Sequence, residues 1–276
     1  MPANAGLERF QTGAAKYAAY LETPEGRLRL DLTYANLQEF LPESTRSLHA
    51  LDLGCGTGAI AVRLARLGFH VTLLDGSAQM LEFADRAARQ GGVAEKIALK
   101  QGDASQLAEL FDARSFDLVL CHNILEYLDD PCAVLRGAAR TLRGSSSLIS
   151  VLVRNQAGEV MKAAIHDGDL AAAEHNLTAE WGVESLYGGR VSLFTQERLH
   201  SMLLESSLAV TAKRGVRVLS DYLPRRVSRH DEYEQIVELE RNLGVRPEFA
   251  AVARYTQSLA RRGGLDRASR VKKDKA

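Results

Sequence analysis

From residue 48 to residue 153 short apolar runs alternate with longer helix-like ones, and this rhythm constrains the fold more than any other feature. The short runs are Leu48–Leu53, Val71–Leu74, Ile97–Leu99, Leu118–Cys121 and Leu148–Val153. Between them lie helix candidates at Ala59–Leu67, Ala78–Gln90, Leu107–Phe111 and Pro131–Leu142. Gly68, Gly91 and Gly144 stand where helix C-termini should end. Such alternation predicts βαβ units: an α/β fold with a parallel sheet and helices on both faces. At 276 residues the chain suits one large α/β domain with appended elements, or at most two small domains.

The first 46 residues are expected to form a helical segment. Leu28, Leu32, Ala35, Leu37, Phe40 and Leu41 fall at helical spacing before Pro42. The main domain is expected over 47–262. Within it the strand rhythm fails at about 154–190, where Trp181 and a Tyr187-Gly188-Gly189 turn occur. An insert after a central strand can overhang the ligand crevice, so this one is read as a lid. The rhythm resumes with a helix at Gln196–Leu204 capped by Thr195, a strand at Leu208–Val218, an acidic helix at Asp231–Asn242 and a strand at Tyr255–Ala260. The tail, 263–276, is basic and poor in apolar residues, and is expected to be disordered.

Composition removes several function classes. Lys plus Arg (35) balances Asp plus Glu (35), which argues against a coating of nucleic acid but is silent on local patches. Cys55, Cys121 and Cys132 form no C-x-x-C, so neither a disulfide framework nor a thiolate zinc site is expected, and no metal. No run approaches the ~18 to 20 apolar residues that span a bilayer. The first residues lack the basic and apolar regions of a signal peptide. The expectation is a reduced, soluble, cytoplasmic protein.

The first strand closes on Leu51-Asp52-Leu53-Gly54-Cys55-Gly56-Thr57-Gly58, which also opens the first helix. Gly54 and Gly56 allow torsions and a close ligand approach that a Cβ would block. A dinucleotide site usually shows G-x-G-x-x-G; here the spacing is G-x-G-x-G, with Asp52 two residues ahead. The second strand ends at Asp75, where a carboxylate can accept ribose hydroxyls. The third leads to Gly102-Asp103-Ala104, placed to read an adenine edge. A turn without ligand and a nicotinamide site are the alternatives. Asp52 either contacts the ligand or braces the loop and helix dipole.

This D-x-G-x-G-x-G form resembles motif I of the class I S-adenosylmethionine (SAM) methyltransferases, which implies a Rossmann-like sheet and SAM as cofactor. Three segments are similar to a narrower branch, the tRNA 5-carboxymethoxyuridine methyltransferases. They are Gly26-Arg27-Leu28-Arg29; Leu74-Asp75-Gly76-Ser77-Ala78-Gln79-Met80 with Cys121-His122-Asn123-Ile124-Leu125-Glu126-Tyr127 and Asp130-Pro131; and Gly215-Val216-Arg217-Val218-Leu219-Ser220-Asp221-Tyr222-Leu223 before the acidic helix. The likeness runs from about Lys16 to Arg261, and the segment at Arg217 discriminates best. It implies that Arg29 pairs with the SAM carboxylate, a contact suited to guanidinium. Gly54, Cys55 and Gly56 would supply the loop, Asp75 the ribose contact, Gly76 a further cofactor contact, Asp103 and Ala104 the adenine contacts, and His122 a place near the methyl-transfer centre. The insert follows the family loosely.

The resemblance further implies methylation of a carboxylate on a wobble uridine of tRNA. A carboxylate is already nucleophilic at pH 7, so alignment and exclusion of water matter more than a base. Arg217, Arg154 and Tyr222 are the candidates to clamp it, Arg217 first. His122 remains open between general base, SAM contact and buried core residue. Lys213, Arg214, Arg217, Arg225, Arg226 and Arg229 can steer an RNA backbone or simply pair with the acidic helix. Tyr222 can stack on a base, and Trp181 and Tyr187 can gate the pocket; ordinary packing is the alternative for each. Competing functions are a small-molecule O- or C-methyltransferase acting on a quinone or acid, and a non-catalytic SAM-binding protein.

Overall fold

The computed structural model describes residues 3–184 and 186–263, so the tail beyond 263 lies outside the described residues. Two helices lead: α1 (Ala3–Leu21) and α2 (Pro24–Gln38). The strands and helices of the sheet follow as β1 (His49–Leu53), α3 (Ala59–Leu67), β2 (His70–Asp75), α4 (Ala78–Gln90), β3 (Ile97–Gln101), α5 (Leu107–Leu110), β4 (Leu118–His122), α6 (Pro131–Thr141) and β5 (Leu148–Arg154). Then come α7 (Gln156–Met161), α8 (Leu170–Asn176) and a hairpin of β6 (Trp181–Val183) and β7 (Arg190–Ser192). The chain closes with α9 (Gln196–Glu205), β8 (Leu208–Val216), α10 (Tyr233–Gly244), α11 (Pro247–Ala250) and β9 (Tyr255–Arg262). Among these residues no helix is long and apolar enough to cross a membrane.

Seven strands make one sheet in the order β3-β2-β1-β4-β5-β9-β8. The first five pair in parallel, as the βαβ rhythm predicts. The parallel expectation fails at β9, which runs antiparallel to β5 and β8. The reason is the path of the chain. After β8 it stays at that strand's C-terminal end through α10 and α11, with Gly244 backed closely onto the Gly215 carbonyl. It then re-enters the sheet from the same end, so β9 must point the other way.

Local chemistry sets the boundaries. Thr23 caps α2 by accepting from Gly26 N, and Pro24 stands at its first turn, so that helix begins four residues before the apolar pattern does. Gly68 ends α3 at φ 111°. Gly144 ends no helix: α6 stops at Thr141, and Leu142 turns extended to bridge Phe116. The insert, expected as a lid without strand rhythm, holds two short helices and the β6–β7 hairpin.

Alternation along the strands divides the core. Leu51, Leu53, Val119, Cys121, Ile149 and Val151 pack under α6 and α9. Ala50, Leu118, Leu120, Leu148 and Leu259 face α2 and α3. On that second face, further along each strand, the same parity brings Asp52, His122, Ser150, Arg154, Gln257 and Tyr255 to one side. Opposite them α2 buries a polar stripe of Arg29, Thr33 and Asn36. A hydrophobic sandwich thus gives way to a polar one at the C-terminal ends of the strands, where open α/β sheets place ligands.

Candidate active site

The loop after β1 depends on left-handed torsions, with φ of 62° at Gly54, 53° at Gly56 and 72° at Gly58. A Cβ on Gly54 would stand 2.8 Å from Ile124 Cδ1. Gly54 N and Cys55 N donate to the Leu74 carbonyl at 2.8 and 3.2 Å, latching the loop to β2. Asp75 completes the latch: Oδ2 accepts from Gly56 N and Oδ1 from Ser77 N, both at 2.9 Å. Burial pushes the Asp75 carboxyl up, and these two amides oppose that shift. Each oxygen retains a lone pair for a further donor. Beside it, Gln101 Nε2 donates to the Gly76 carbonyl at 3.1 Å. Asp103 is exposed and accepts from Ser105 N at 2.8 Å, while Ala104 is buried behind it.

Next to the loop lies an open cleft lined by Arg29, Asp52, Gly54, Cys55, His122 and Asn123 among others. Arg29 comes from α2 and is buried; its Nη2 donates to Tyr17 Oη at 2.9 Å and its Nη1 to Asn123 Oδ1 at 3.3 Å. Among the described residues no carboxylate pairs with it. Asn123 holds φ 52°, a torsion asparagine tolerates, and donates onward to Glu126 Oε1 at 2.9 Å. Burial, with Asp75 adding, pushes the Asp52 carboxyl up to about 8. Burial, with Arg29 adding, lowers His122 to about 3, so its ring is neutral at physiological pH. Burial also pushes the Cys55 thiol up, which makes it a poor nucleophile.

A second polar group adjoins the first. In the sheet Tyr255 lies opposite Arg154 on one side and Val216 on the other, so Arg154 and Arg217 flank it. Arg29 Cζ is 5.7 Å from its ring. Arg217, buried and at φ 60°, donates to Asp221 through Nε at 3.0 Å and to Tyr20 Oη through Nη1 at 3.0 Å. Arg254 shares Asp221 at 3.1 Å and also meets Glu159 at 3.1 Å. Arg154 pairs with Glu184 at 2.5 Å and Glu159 at 3.6 Å. Three guanidiniums, Arg154, Arg217 and Arg254, therefore face Asp221, Glu159 and Glu184, while Arg29 stands apart from these acids; a further acid, Glu126, has its carboxyl pushed up by burial. The Tyr222 hydroxyl is buried and has no hydrogen-bond partner among the described residues. The remaining basic residues scatter: Arg214 pairs with Glu39, Arg229 with Glu25, and Arg225 and Arg226 are exposed. None of these pairs uses the acidic helix.

The family described as Methyltransferase domain matches residues 44–206, more than half of the chain. The chain belongs to that family. It is 28% identical over 242 residues to the tRNA 5-carboxymethoxyuridine methyltransferase of Escherichia coli (strain K12), covering 87% of this chain and 90% of that one. It is 36% identical to the ubiquinone biosynthesis O-methyltransferase of Sodalis glossinidius, but over 39% of this chain and 42% of that one. The fold is similar to an S-adenosylmethionine-dependent methyltransferase from Thermotoga maritima (TM-score 0.61, 14% identity, 93% and 99% covered). It is also similar to one from Mesorhizobium loti (TM-score 0.55, 18% identity, 84% and 100% covered).

This methyltransferase takes its methyl group from SAM, and the residues in place fit that donor. The cleft offers a guanidinium that no carboxylate among the described residues pairs with, and Gly54 and Cys55 of the glycine loop line it; Asp75 does not line it but latches that loop from the end of β2. Asp52 yields a pH prediction. In the native protein its carboxyl keeps a proton up to about pH 8, whereas in the unfolded chain it loses it near ~4. Stability contributed at this site is therefore present at low pH and declines as pH rises from about 4 to about 8. A cationic ligand favours the ionised form, so SAM affinity should rise through that same window. Titration calorimetry at pH 7 in buffers of different ionisation enthalpy should detect release of about one proton, and none from Asp52→Asn. Equal heats in all buffers would refute this.

The motif residues were legible, but their supports were not. Tyr17 and Tyr20, one turn apart on α1, bracket Arg29. Asn123 and Glu126 tie the end of β4 to Arg154 N. Arg254, Tyr255 and Gln257 sit in a segment whose only visible signal is its apolar strand pattern. The spacing of Tyr17 and Tyr20 is the one signal that could have pointed to a shared face.

Proposed function

We propose that this enzyme methylates the carboxylate of 5-carboxymethoxyuridine at the tRNA wobble position, in the cytoplasm, giving a methyl ester. The observation that carries this reading is the set of four guanidiniums around Tyr255, beside a cleft that already suits SAM. Arg154, Arg217 and Arg254 are paired with Asp221, Glu159 and Glu184, and the fourth, Arg29, is kept for the donor's carboxylate, so an acceptor carboxylate would share the Arg154 and Arg217 pairs and take a hydrogen bond from the Tyr222 hydroxyl. The likeness to the Escherichia coli tRNA enzyme over nearly the whole of both chains supports the same choice; the likeness to the ubiquinone enzyme spans less than half of each.

When bound, SAM supplies an electrophilic methyl group on a sulfonium that departs as a neutral thioether. The protein's own work is binding and orientation. Arg29, Asp52, Gly54, Cys55, Gly56, Asp75, Gly76, Asp103, Ala104 and His122 are assigned to the cofactor. Arg217, Arg154 and Tyr222 are assigned to the acceptor. Burial pushes the Tyr222 phenol up to about 12, so its unpartnered hydroxyl stays protonated and can donate to a carboxylate oxygen. His122, neutral and half-buried, has no proton to take from a substrate that is already an anion. The insert acts as a lid: Tyr187 at the hairpin turn rests on α1, with ring centroids 5.0 Å from Phe10 and 5.9 Å from Tyr17, and so excludes water.

Purified protein with labelled SAM should transfer label to bulk tRNA from cells that make the carboxymethoxy precursor, and not to tRNA from cells that lack it. The label should be RNase-sensitive and released by mild alkali as an ester. Transfer to small molecules alone would favour the quinone or acid alternative, and tight SAM binding without any turnover would favour a non-catalytic protein.

A further inference from the structure

Behind His122 lies a chain of buried polar groups whose hydrogen-bond directions can be assigned. Gln257 is fully buried; its Nε2 donates to the Thr33 carbonyl at 3.1 Å and to Ser150 Oγ at 3.0 Å, while its Oε1 accepts from Asn36 Nδ2 at 3.0 Å. A carbonyl only accepts, so Thr33 fixes which end of the Gln257 amide is which, and both amide hydrogens are used. Ser150, also fully buried, thus receives a hydrogen from Gln257 and keeps its own to give. Its Oγ is 2.8 Å from His122 Nε2, and among the described residues it bonds to nothing else. The hydroxyl hydrogen therefore goes to Nε2, and the proton of the neutral ring resides on Nδ1.

We propose that Asn36, Gln257 and Ser150 act as a positioning relay that holds His122 as the Nδ1–H tautomer and presents that N–H to the cleft as a donor to the ligand carboxylate bound at Arg29. This rests on reading the cleft as the methyl-donor site. Of the three roles open to His122 it favours the cofactor contact: the nitrogen a base would use is occupied by Ser150, and the residue lines the cleft. The lowered proton affinity of the ring agrees, since a ring that stays neutral can keep one tautomer across the physiological range. The same relay ties together α2, β5 and β9, the elements that carry Arg29, Arg154 and Tyr255.

The test is a two-bond proton–nitrogen correlation spectrum of ¹⁵N-histidine-labelled protein without ligand at pH 7, with His122 assigned by its loss in His122→Asn. The expected pattern is a pyrrole-like Nδ1 and a pyridine-like Nε2. Ser150→Ala should shift the ring towards the Nε2–H form and lower SAM affinity about tenfold, the worth of one hydrogen bond. Ser150→Thr, which keeps the hydroxyl, should restore both. A protonated Nε2 in the wild type overturns the proposal whether or not the variants fold, and an unmoved tautomer in Ser150→Ala overturns the relay. An Nδ1–H ring in a protein that gives no heat with SAM would instead retire the cofactor reading and the ligand half of this proposal, leaving the tautomer assignment standing.

Discussion

Replacing Asp75 by alanine should weaken SAM binding by roughly a hundredfold or more while leaving the sheet folded. Two losses combine. Hydrogen bonds from a sugar's hydroxyls to an ionised carboxylate contribute about 1.5 to 3 kcal/mol each, so losing a pair costs about two orders of magnitude or more. The same carboxylate also accepts from Gly56 N and Ser77 N, so the glycine loop loses its anchor to the end of β2. Asparagine should rescue little, because one end of its amide would turn N–H groups towards an N–H donor. The fold should survive: burial disfavours the Asp75 charge in the native state, and removing it recovers that cost against the two amides left unpaired. Calorimetry with SAM and a thermal melt of the ligand-free protein check both halves. Affinity within threefold of wild type would refute the ribose assignment, and loss of the folding transition would show the loop to be structural first.

The features legible in the sequence are those set by local pattern. Gly54, Gly56 and Asp75 stand at strand ends because apolar runs stop there, and the parallel order of β1 to β5 follows from connections long enough to cross over. What was hidden depends on the far side of the sheet. Arg29 belonged to a recognisable segment, but nothing local marked Thr33 and Asn36 as buried; their stripe on α2 makes sense only once Gln257 and Ser150 are seen to face it. The direction of β9 was hidden for a similar reason. Its apolar pattern is indifferent to orientation, and only the return of the chain past α10 and α11 decides it. The basic run near Arg217 looked like one patch, yet its members turn to Asp221 and to Glu25 and Glu39 at opposite ends of α2. A charge cluster in sequence survives as a cluster in space only when the backbone keeps its side chains on one face.

Glu240→Ala should strongly destabilise the fold. Its carboxylate is buried and accepts three successive backbone amides, Val218 at 2.6 Å, Leu219 at 3.0 Å and Ser220 at 2.7 Å. The acidic helix thus reaches across to hold the turn after β8, just past Arg217, which sits at φ 60° where a non-glycine residue is strained. Each buried amide left without an acceptor costs about 1 to 3 kcal/mol, so with partial relaxation the loss is about 4 kcal/mol. At about 2 to 4 °C per kcal/mol, the melting temperature should fall by roughly 8 to 16 °C. Glutamine, keeping one carbonyl oxygen, should lose about half as much. Urea unfolding at constant slope measures the difference, and a loss below about 1 kcal/mol would mean the turn holds itself. The variant also separates two functions. Arg217 and Tyr222 lie on that turn whereas Arg29, Asp52 and Asp75 do not, so below its melting temperature the variant should bind SAM near-normally and fail to methylate. Equal damage to both would place the Arg217 turn inside the cofactor site rather than beside it.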